Sequence, residues 1–210
     1  MSTFLKLLLL LVATSVAAVA GNTAVDDSFT TQENHALTGN VLANDSILQF
    51  VNVALGKTAI QSSTLPHGTL PDARKAVDGN TNGFFNAAST THTGYIEGTI
   101  DPNPWWEVDL GGDFSIDRVK LWNRQDCCSD RLRNAIVDLL DGSGNVVASG
   151  SVGDMAGVRD KTVSFSNEIA SKVRVSLPTT GFLQLAEVEV FSTEVKYTTQ
   201  MMLSEQKKLS

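Results

Sequence analysis

From Phe50 to Phe191 the apolar residues recur two apart, and no stripe at helical spacing interrupts them. Val108/Leu110, Val119/Leu121, Val173/Val175/Leu177 and Val188/Val190 all keep this rhythm. Side chains alternate across a strand, so a period of two sends one face to a core and the other to solvent. Gly, Asn and Asp punctuate the runs. Asp141-Gly142-Ser143-Gly144-Asn145 separates Ala135–Leu140 from Val146–Ala148, and that pair is expected to form a hairpin. Many short strands joined by such turns predict an all-β domain, a sandwich or barrel. A domain of about 140 residues buries roughly two-thirds of its unfolded surface, enough for one core.

The flanks have a different texture. Residues 1–20 read as a secretory signal peptide: Lys6, an unbroken apolar run from Leu7 to Val12, then Ala18-Val19-Ala20 as a small-x-small cleavage pattern. The competing reading, a membrane anchor, needs about 20 apolar residues, and the run is shorter. No other stretch is long and apolar enough to span a bilayer, so the mature protein is expected to be secreted or periplasmic, where disulfides persist. Residues 21–49 are polar. Leu37-Thr38-Gly39-Asn40-Val41-Leu42-Ala43-Asn44-Asp45 resembles the opening of the cadherin-like repeats of bacterial adhesins. Too few apolar residues surround it to close a core, so 21–49 reads as a linker or truncated remnant. Asn44-Asp45-Ser46 is a glycosylation sequon if the host is eukaryotic. Residues 193–210 form a polar tail, leaving 50–192 as the domain. The formal net charge of −7 argues against nucleic acid or an anionic membrane as partner.

Within the domain, Arg124-Gln125-Asp126-Cys127-Cys128-Ser129-Asp130-Arg131 holds both cysteines of the chain, side by side, between two arginines. Adjacent Cα atoms lie about 3.8 Å apart across a trans peptide, closer than the ~5.5–6 Å of ordinary disulfides. Three states remain open for the pair: a vicinal disulfide, two free thiols, or an intermolecular bond. A metal site on the thiolates lacks further ligands at suitable spacing. The arginine forks suit paired hydroxyls or a carboxylate, with Asp126 and Asp130 placed to orient them. The plainer reading is a surface salt-bridge cluster, which contributes little stability.

These residues resemble the signature of the F-type lectins, or fucolectins, a family with a discoidin-like β-sandwich fold, the coagulation factor type C-like domain. The resemblance covers roughly residues 50–191. Asn52-Val53-Ala54-Leu55-Gly56-Lys57 is similar to the family's opening strand, Pro104-Trp105-Trp106-Glu107-Val108-Asp109-Leu110-Gly111 to its central strand, and Leu183-Gln184-Leu185-Ala186-Glu187-Val188 to its last. The family also uses a histidine upstream of the first arginine. His92 is the candidate, leaving 31 intervening residues (124 − 92 − 1), more than the family's usual spacing. The excess falls in Gly94–Asp101, read as a loop insertion. His67 competes from a Pro-Gly turn at the edge.

The resemblance implies that His92, Arg124 and Arg131 hydrogen-bond hydroxyls and the ring oxygen of terminal L-fucose, that Cys127 and Cys128 form a vicinal disulfide packing on the sugar ring, and that Phe85 and Leu65 lie near its 6-methyl group. It also implies a structural Ca2+ held by side chains of Asp78, Ser89 and Glu187 with carbonyls of Lys75, Asn80 and Ala186. Asp78-Gly79-Asn80-Thr81-Asn82-Gly83 is in its own right an oxygen-rich turn. Fucosylated glycans are the expected partners, and a trimer is expected by family analogy. Nucleophile elbow, zincin helix and P-loop motifs are missing, so the chain is not expected to be an enzyme. Trp105 and Trp106 are expected in the core rather than on a stacking platform. The rival functions are a discoidin-like adhesion module for another glycan, a protein or a lipid head group, and a targeting module cut loose from a carbohydrate-active enzyme.

Overall fold

The computed structural model describes residues 46–197, with side chains from 49 to 193. The signal peptide, the sequon asparagine Asn44, the cadherin-like stretch and residues 198–210 lie outside the described residues. Phe50–Thr193 form one compact body.

The strands are β1 (Ser46–Asn52), β2 (Thr58–Gln61), β3 (Tyr95–Ile96), β4 (Thr99–Ile100), β5 (Trp105–Trp122), β6 (Ile136–Leu140), β7 (Val146–Ser151), β8 (Asp160–Ser176) and β9 (Glu187–Tyr197). Their order is β1-β9-β5-β8-β6-β7, with β2 also on β5 and β3 paired with β4. All the described registers are antiparallel.

Two long strands organise the body. The first half of β5 lies between β2 and the end of β8. Its second half lies between β9 and the start of β8. Register shifts between Asp109 and Phe114, and between Ile116 and Arg118, mark where the ladder breaks. Such bulges bend strands, so β5 and β8 serve both layers of a β-sandwich. The all-β class read from the period-two pattern holds.

The alternating residues fill the space between the layers. Val108, Leu110, Val119, Leu121, Val173, Val175, Val188 and Val190 are all fully buried. The hairpin expected around Asp141 is β6–β7. The Asp141 carboxylate accepts from the amides of Ser143 and Asn145, both at 2.9 Å, which folds the turn.

Two expectations need correction. The tryptophan pair splits, because neighbours in a strand face opposite ways. Trp106 is 0% exposed and its Nε1 donates to the Ala73 carbonyl at 2.8 Å. Trp105 is half-buried under the Arg174 guanidinium, 5.1 Å from its ring centre. The Gly94–Asp101 insertion is not an irregular loop but the β3–β4 hairpin. Glu97 and Gly98 both take positive φ, 50° and 82°, the backbone of a type I′ turn whose twist matches the strands. At its base the Asp101 amide donates to Gly94 O at 3.2 Å. The buried Asp101 carboxylate accepts from the Ser62 and Ser63 hydroxyls at 2.5 and 2.6 Å.

Trp106→Ala would leave a core cavity and an unpaired Ala73 carbonyl. It is expected to cost about 3–5 kcal/mol in urea unfolding; a loss below about 1 kcal/mol would contradict this packing.

Candidate functional site

The site lies where three segments far apart in sequence meet. The first is the loop from Asp78 to Thr93. Asp78, Asn80 and Asn82 each accept, through side-chain Oδ1, the amide two residues on, at 2.9, 3.1 and 3.0 Å. Three Asx turns in succession set the course of this loop. Its far end, Thr91–Thr93, is buried and zipped to Leu183–Leu185. Thr91 N donates to Leu185 O at 2.8 Å and Thr93 N to Leu183 O at 3.0 Å. The two threonine hydroxyls accept in return from Leu185 N and Leu183 N, at 3.0 and 2.8 Å. His92 sits between them, its amide donating to Pro71 O and its carbonyl accepting from Leu65 N.

The second segment follows β5. Asn123 is buried, and its Nδ2 reaches the carbonyls of Ser129, Met155 and Val158 at 2.9–3.3 Å. It thereby anchors both ends of the cysteine–arginine loop. Gln125 N donates to Gly83 O at 2.8 Å, joining this loop to the first. Only glycine fits there: a Cβ on Gly83 would lie 2.5 Å from the Asn123 carbonyl oxygen. Cys127 and Cys128 are bonded to each other, with Cα atoms 3.8 Å apart, so of the three open states the vicinal disulfide is the one present. Cys128 takes φ +59°, a left-handed conformation rare for a residue with a Cβ. It leads into a 3-10 turn over Ser129–Leu132 that carries Arg131.

The third segment is the turn before β9, which presents Phe182. The rings form a continuous row. Arg124 Cζ lies 4.5 Å over Phe85, Phe85 meets His92 edge-on at 5.5 Å, His92 meets Phe182 at 5.1 Å, and Arg131 Cζ lies 5.1 Å over Phe182. His67 joins from the side, 4.9 Å from Phe85. Cations over aromatic faces are attracted to the ring quadrupole, so each arginine is held by a ring that also touches the histidine.

Electrostatics fix the protonation of this row. His92 Nδ1 is 2.5 Å from the Thr93 carbonyl. A carbonyl can only accept, so Nδ1 carries the hydrogen and Nε2 is left as an acceptor. Burial, then the charges of Arg131 and Arg124, push the His92 pKa down from 6.5 to about 4. Arg124 is gripped by Asp126 through Nε at 2.7 Å and Nη2 at 3.1 Å, which leaves its Nη1 hydrogens available. That bond holds the Asp126 carboxyl below the usual carboxylate range. Asp130 makes no ion pair among the described residues, and neither does Arg131. The site therefore offers guanidinium donors, a neutral imidazole acceptor, an apolar disulfide and two phenyl rings.

A second cluster lies behind the first loop. Glu187 is buried, with Oε1 accepting from Gly79 N at 3.0 Å and Oε2 lacking a protein partner. Burial, with Asp78 and Glu189 nearby, raises its pKa to about 7. The Ser89 hydroxyl turns towards the carbonyls of Asn82 and Phe84. Lys75 lies in the 3-10 turn Ala73–Ala76, and Ala186 N donates to Trp122 O at 2.8 Å. Among the described residues no three His, Cys, Asp or Glu side chains gather as a metal cluster. Any cation here would draw largely on carbonyl and hydroxyl oxygens.

Of the site residues read from the sequence, the structure brings His92, Phe85, Arg124, Asp126 and Arg131 into one row and places the Cys127–Cys128 disulfide in the loop between the arginines. Leu65 reaches it through its backbone. Phe182, Asn123, Thr91 and Thr93 went unread. An aromatic residue in the turn Pro178-Thr179-Thr180-Gly181-Phe182 was the available signal for the first. The others act by hydrogen bonds to distant carbonyls or amides, which no local pattern encodes.

The family model described as a NedA-like, galactose-binding domain matches residues 75–175. Fucolectin-6 of Anguilla japonica is 38% identical over 144 residues, covering 66% of this chain and 74% of the relative. A fucose binding module of Streptococcus pneumoniae superposes with a TM-score of 0.61 at 38% identity, covering 68% of this chain and 95% of that one. The lectin domain of lectinolysin, solved in complex with Lewis B antigen, gives a TM-score of 0.62 at 38% identity, covering 69% and 98%.

In the folded protein His92 stays neutral to about pH 4, whereas in the unfolded chain it protonates near 6.5. Between those values the unfolded state binds the extra proton, so this contribution to stability is intact above 6.5 and falls as pH drops towards 4. Melting temperature is expected to fall over that window, less steeply in His92→Gln than in the wild type. Identical slopes would rule out His92 as the source.

Proposed function

Since this chain belongs to the fucolectin family, the F-type lectins, we propose that its site binds terminal L-fucose on glycans without catalysing any reaction. The observation that carries this is the neutral His92 set in one row with two arginines, whose connecting loop holds an apolar disulfide. A neutral sugar has no charge to grip. Recognition needs donors and acceptors matched to its hydroxyls, and an apolar surface for its C–H face. An axial hydroxyl donates to His92 Nε2 and accepts from an arginine N–H. The second arginine donates to the neighbouring hydroxyl and the ring oxygen. The disulfide packs on the ring, and Phe85 and Leu65 lie near the methyl group. An epimer that moves the axial hydroxyl would leave buried groups unpaired, at about 1–3 kcal/mol each.

Calcium is the second part of the proposal. Its residues are Asp78, Ser89 and Glu187 by side chain, and Lys75, Asn80 and Ala186 by carbonyl. The fit rests on Glu187 Oε2, a buried carboxyl oxygen with no protein partner, and on Asp78 nearby, in an oxygen-only donor set of the kind calcium takes. A bound ion would supply positive charge beside the Glu187 and Asp78 carboxylates and would steady the loop that carries His92.

The chain is a binding protein and not an enzyme, like the lectins and modules it is related to. Among the described residues no helix is long and apolar enough to cross a membrane. Residues 1–20 support export, which suits a disulfide-dependent site. A single open sugar site binds in the millimolar to micromolar range, about −4 to −8 kcal/mol. Adhesion to a glycan-coated surface then needs several sites together, and a homotrimer would provide them.

Titration calorimetry with L-fucose tests the site. Wild type should bind, and Arg131→Ala should weaken binding at least tenfold, about 1.4 kcal/mol. Binding should hold from pH 7.5 to 5.5, because His92 remains neutral there. Failure to bind any fucosylated ligand on a glycan array would sink the reading. Mild thiol reduction should lower affinity, whereas unchanged affinity would remove the disulfide from recognition and leave the arginines.

Chelation with EDTA should lower the melting temperature and added calcium should restore it. A melting curve indifferent to both would exclude the ion.

A further inference from the structure

Among the described residues, five buried side-chain polar atoms lack a protein partner: Gln61 Oε1, Thr90 Oγ1, both Nε2 and Oε1 of Gln184, and Glu187 Oε2. Buried polar groups are almost always satisfied, so each such atom calls for a partner. Glu187 belongs with the calcium residues. Gln61 lies on one flank of the His92 segment, its Nε2 donating to Pro71 O and His92 O at 3.2 and 3.4 Å. Gln184 and Thr90 lie outside both the sugar row and the calcium set, and each is only 1% exposed. Exchanging the oxygen and nitrogen of the Gln184 amide gains nothing, because both positions are unpartnered.

The ladder between Thr91–Thr93 and Leu183–Leu185 places these groups. Thr91 bonds to Leu185 and Thr93 to Leu183. His92 therefore stands directly opposite Gln184, and Thr90 stands diagonally from it. Directly opposite residues of an antiparallel pair point to the same face, with Cβ atoms about 4.5–5.5 Å apart, and diagonal neighbours are about 7–8 Å apart. Leu183 and Leu185 enter the hydrophobic core, so alternation turns Phe182 and Gln184 to the other face. The meeting of the His92 and Phe182 rings at 5.1 Å is the diagonal contact this register requires. The Gln184 amide thus lies beside His92, on the face where Phe85 and Phe182 also meet the imidazole. Polar groups at the diagonal separation, with no direct bond between them, are of the kind that water bridges.

We propose that Gln184 and Thr90 form a binding site for ordered water, which bridges the amide to the hydroxyl, and that through this bridge Gln184 is a positioning residue for His92. Water both donates and accepts, which an amide with neither group paired requires, and a buried water makes about three hydrogen bonds. Neither residue touches the sugar, since protein encloses both. They act by fixing the bed on which the imidazole rests. The positioning role rests on the fucose reading of the primary site; the water site does not.

Gln184→Met removes the amide at nearly constant volume, and Thr90→Val removes the hydroxyl. If the amide were simply unpaired in the folded protein, Gln184→Met would raise the melting temperature, because an unpaired buried group is a cost. With water bound the sign reverses. Each single variant should melt about 2–4 °C lower and bind L-fucose about fivefold more weakly by calorimetry. Thr90→Ser keeps the hydroxyl and should keep the fucose affinity. The double variant should lose less than the sum of the two singles, since one bridge is lost only once. A crystal structure of the wild type, which needs no variant to fold, should show water within hydrogen-bond distance of both side chains. Gln184→Met melting at or above the wild type, strictly additive losses, or a crystal structure without that water would overturn the site. Lower melting temperatures with fucose affinity unchanged, or Thr90→Ser as weak as Thr90→Val, would overturn the positioning role. A wild type that binds no fucose would overturn the reading of the primary site and the positioning role with it, while melting and crystallography still decide the water site.

Discussion

The pairing of Thr91–Thr93 with Leu183–Leu185 is what the site depends on. Two segments separated by some ninety positions exchange four hydrogen bonds, two through backbone carbonyls and two through threonine hydroxyls. All of this takes place in a buried setting, where an unmade bond is costly. Without it His92 would not lie between Phe85 and Phe182, and neither arginine would share a ring with it. A short irregular segment is thus held as firmly as a strand, by side chains that complete the ladder.

A second constraint is electrostatic. Burying an imidazole near two guanidinium groups disfavours its charged form, both by desolvation and by repulsion. The protein keeps two fixed positive charges and one neutral acceptor in a row. Asp126 neutralises Arg124 without capping it, since one nitrogen remains outside the bidentate pair. Fixed donors beside a fixed acceptor match a hydroxyl, which both gives and takes a hydrogen bond.

Much of this was legible beforehand. The period-two positions from Val108 to Val190 became core, Leu177 alone staying partly buried at its edge, because alternation is a local property of a strand. The cysteine pair and its arginines stood out as residue types at a spacing. His92 is legible as the histidine upstream of the first arginine, and the extra residues after it carry a hairpin pattern: Tyr95-Ile96-Glu97-Gly98-Thr99-Ile100 has apolar and β-branched residues on either side of a Glu-Gly turn. Trp105 and Trp106 were grouped as core although alternation itself separates adjacent residues. Phe182 could not be found from its neighbours, since its importance comes from what packs on either side of it.

By itself the sequence determined the architecture, the proximity of the two cysteines, and the arginines that bracket them, because each follows from spacing along one stretch of chain. It left open whether the thiols join, and whether the histidine is charged. Tertiary structure decided both. The left-handed turn at Cys128 and the Asn123 anchor shape the loop in which the disulfide forms. The Thr93 carbonyl and two distant guanidinium groups set the imidazole's proton. Those are properties of groups brought together from separate parts of the chain, and distance in space, not in sequence, governs them.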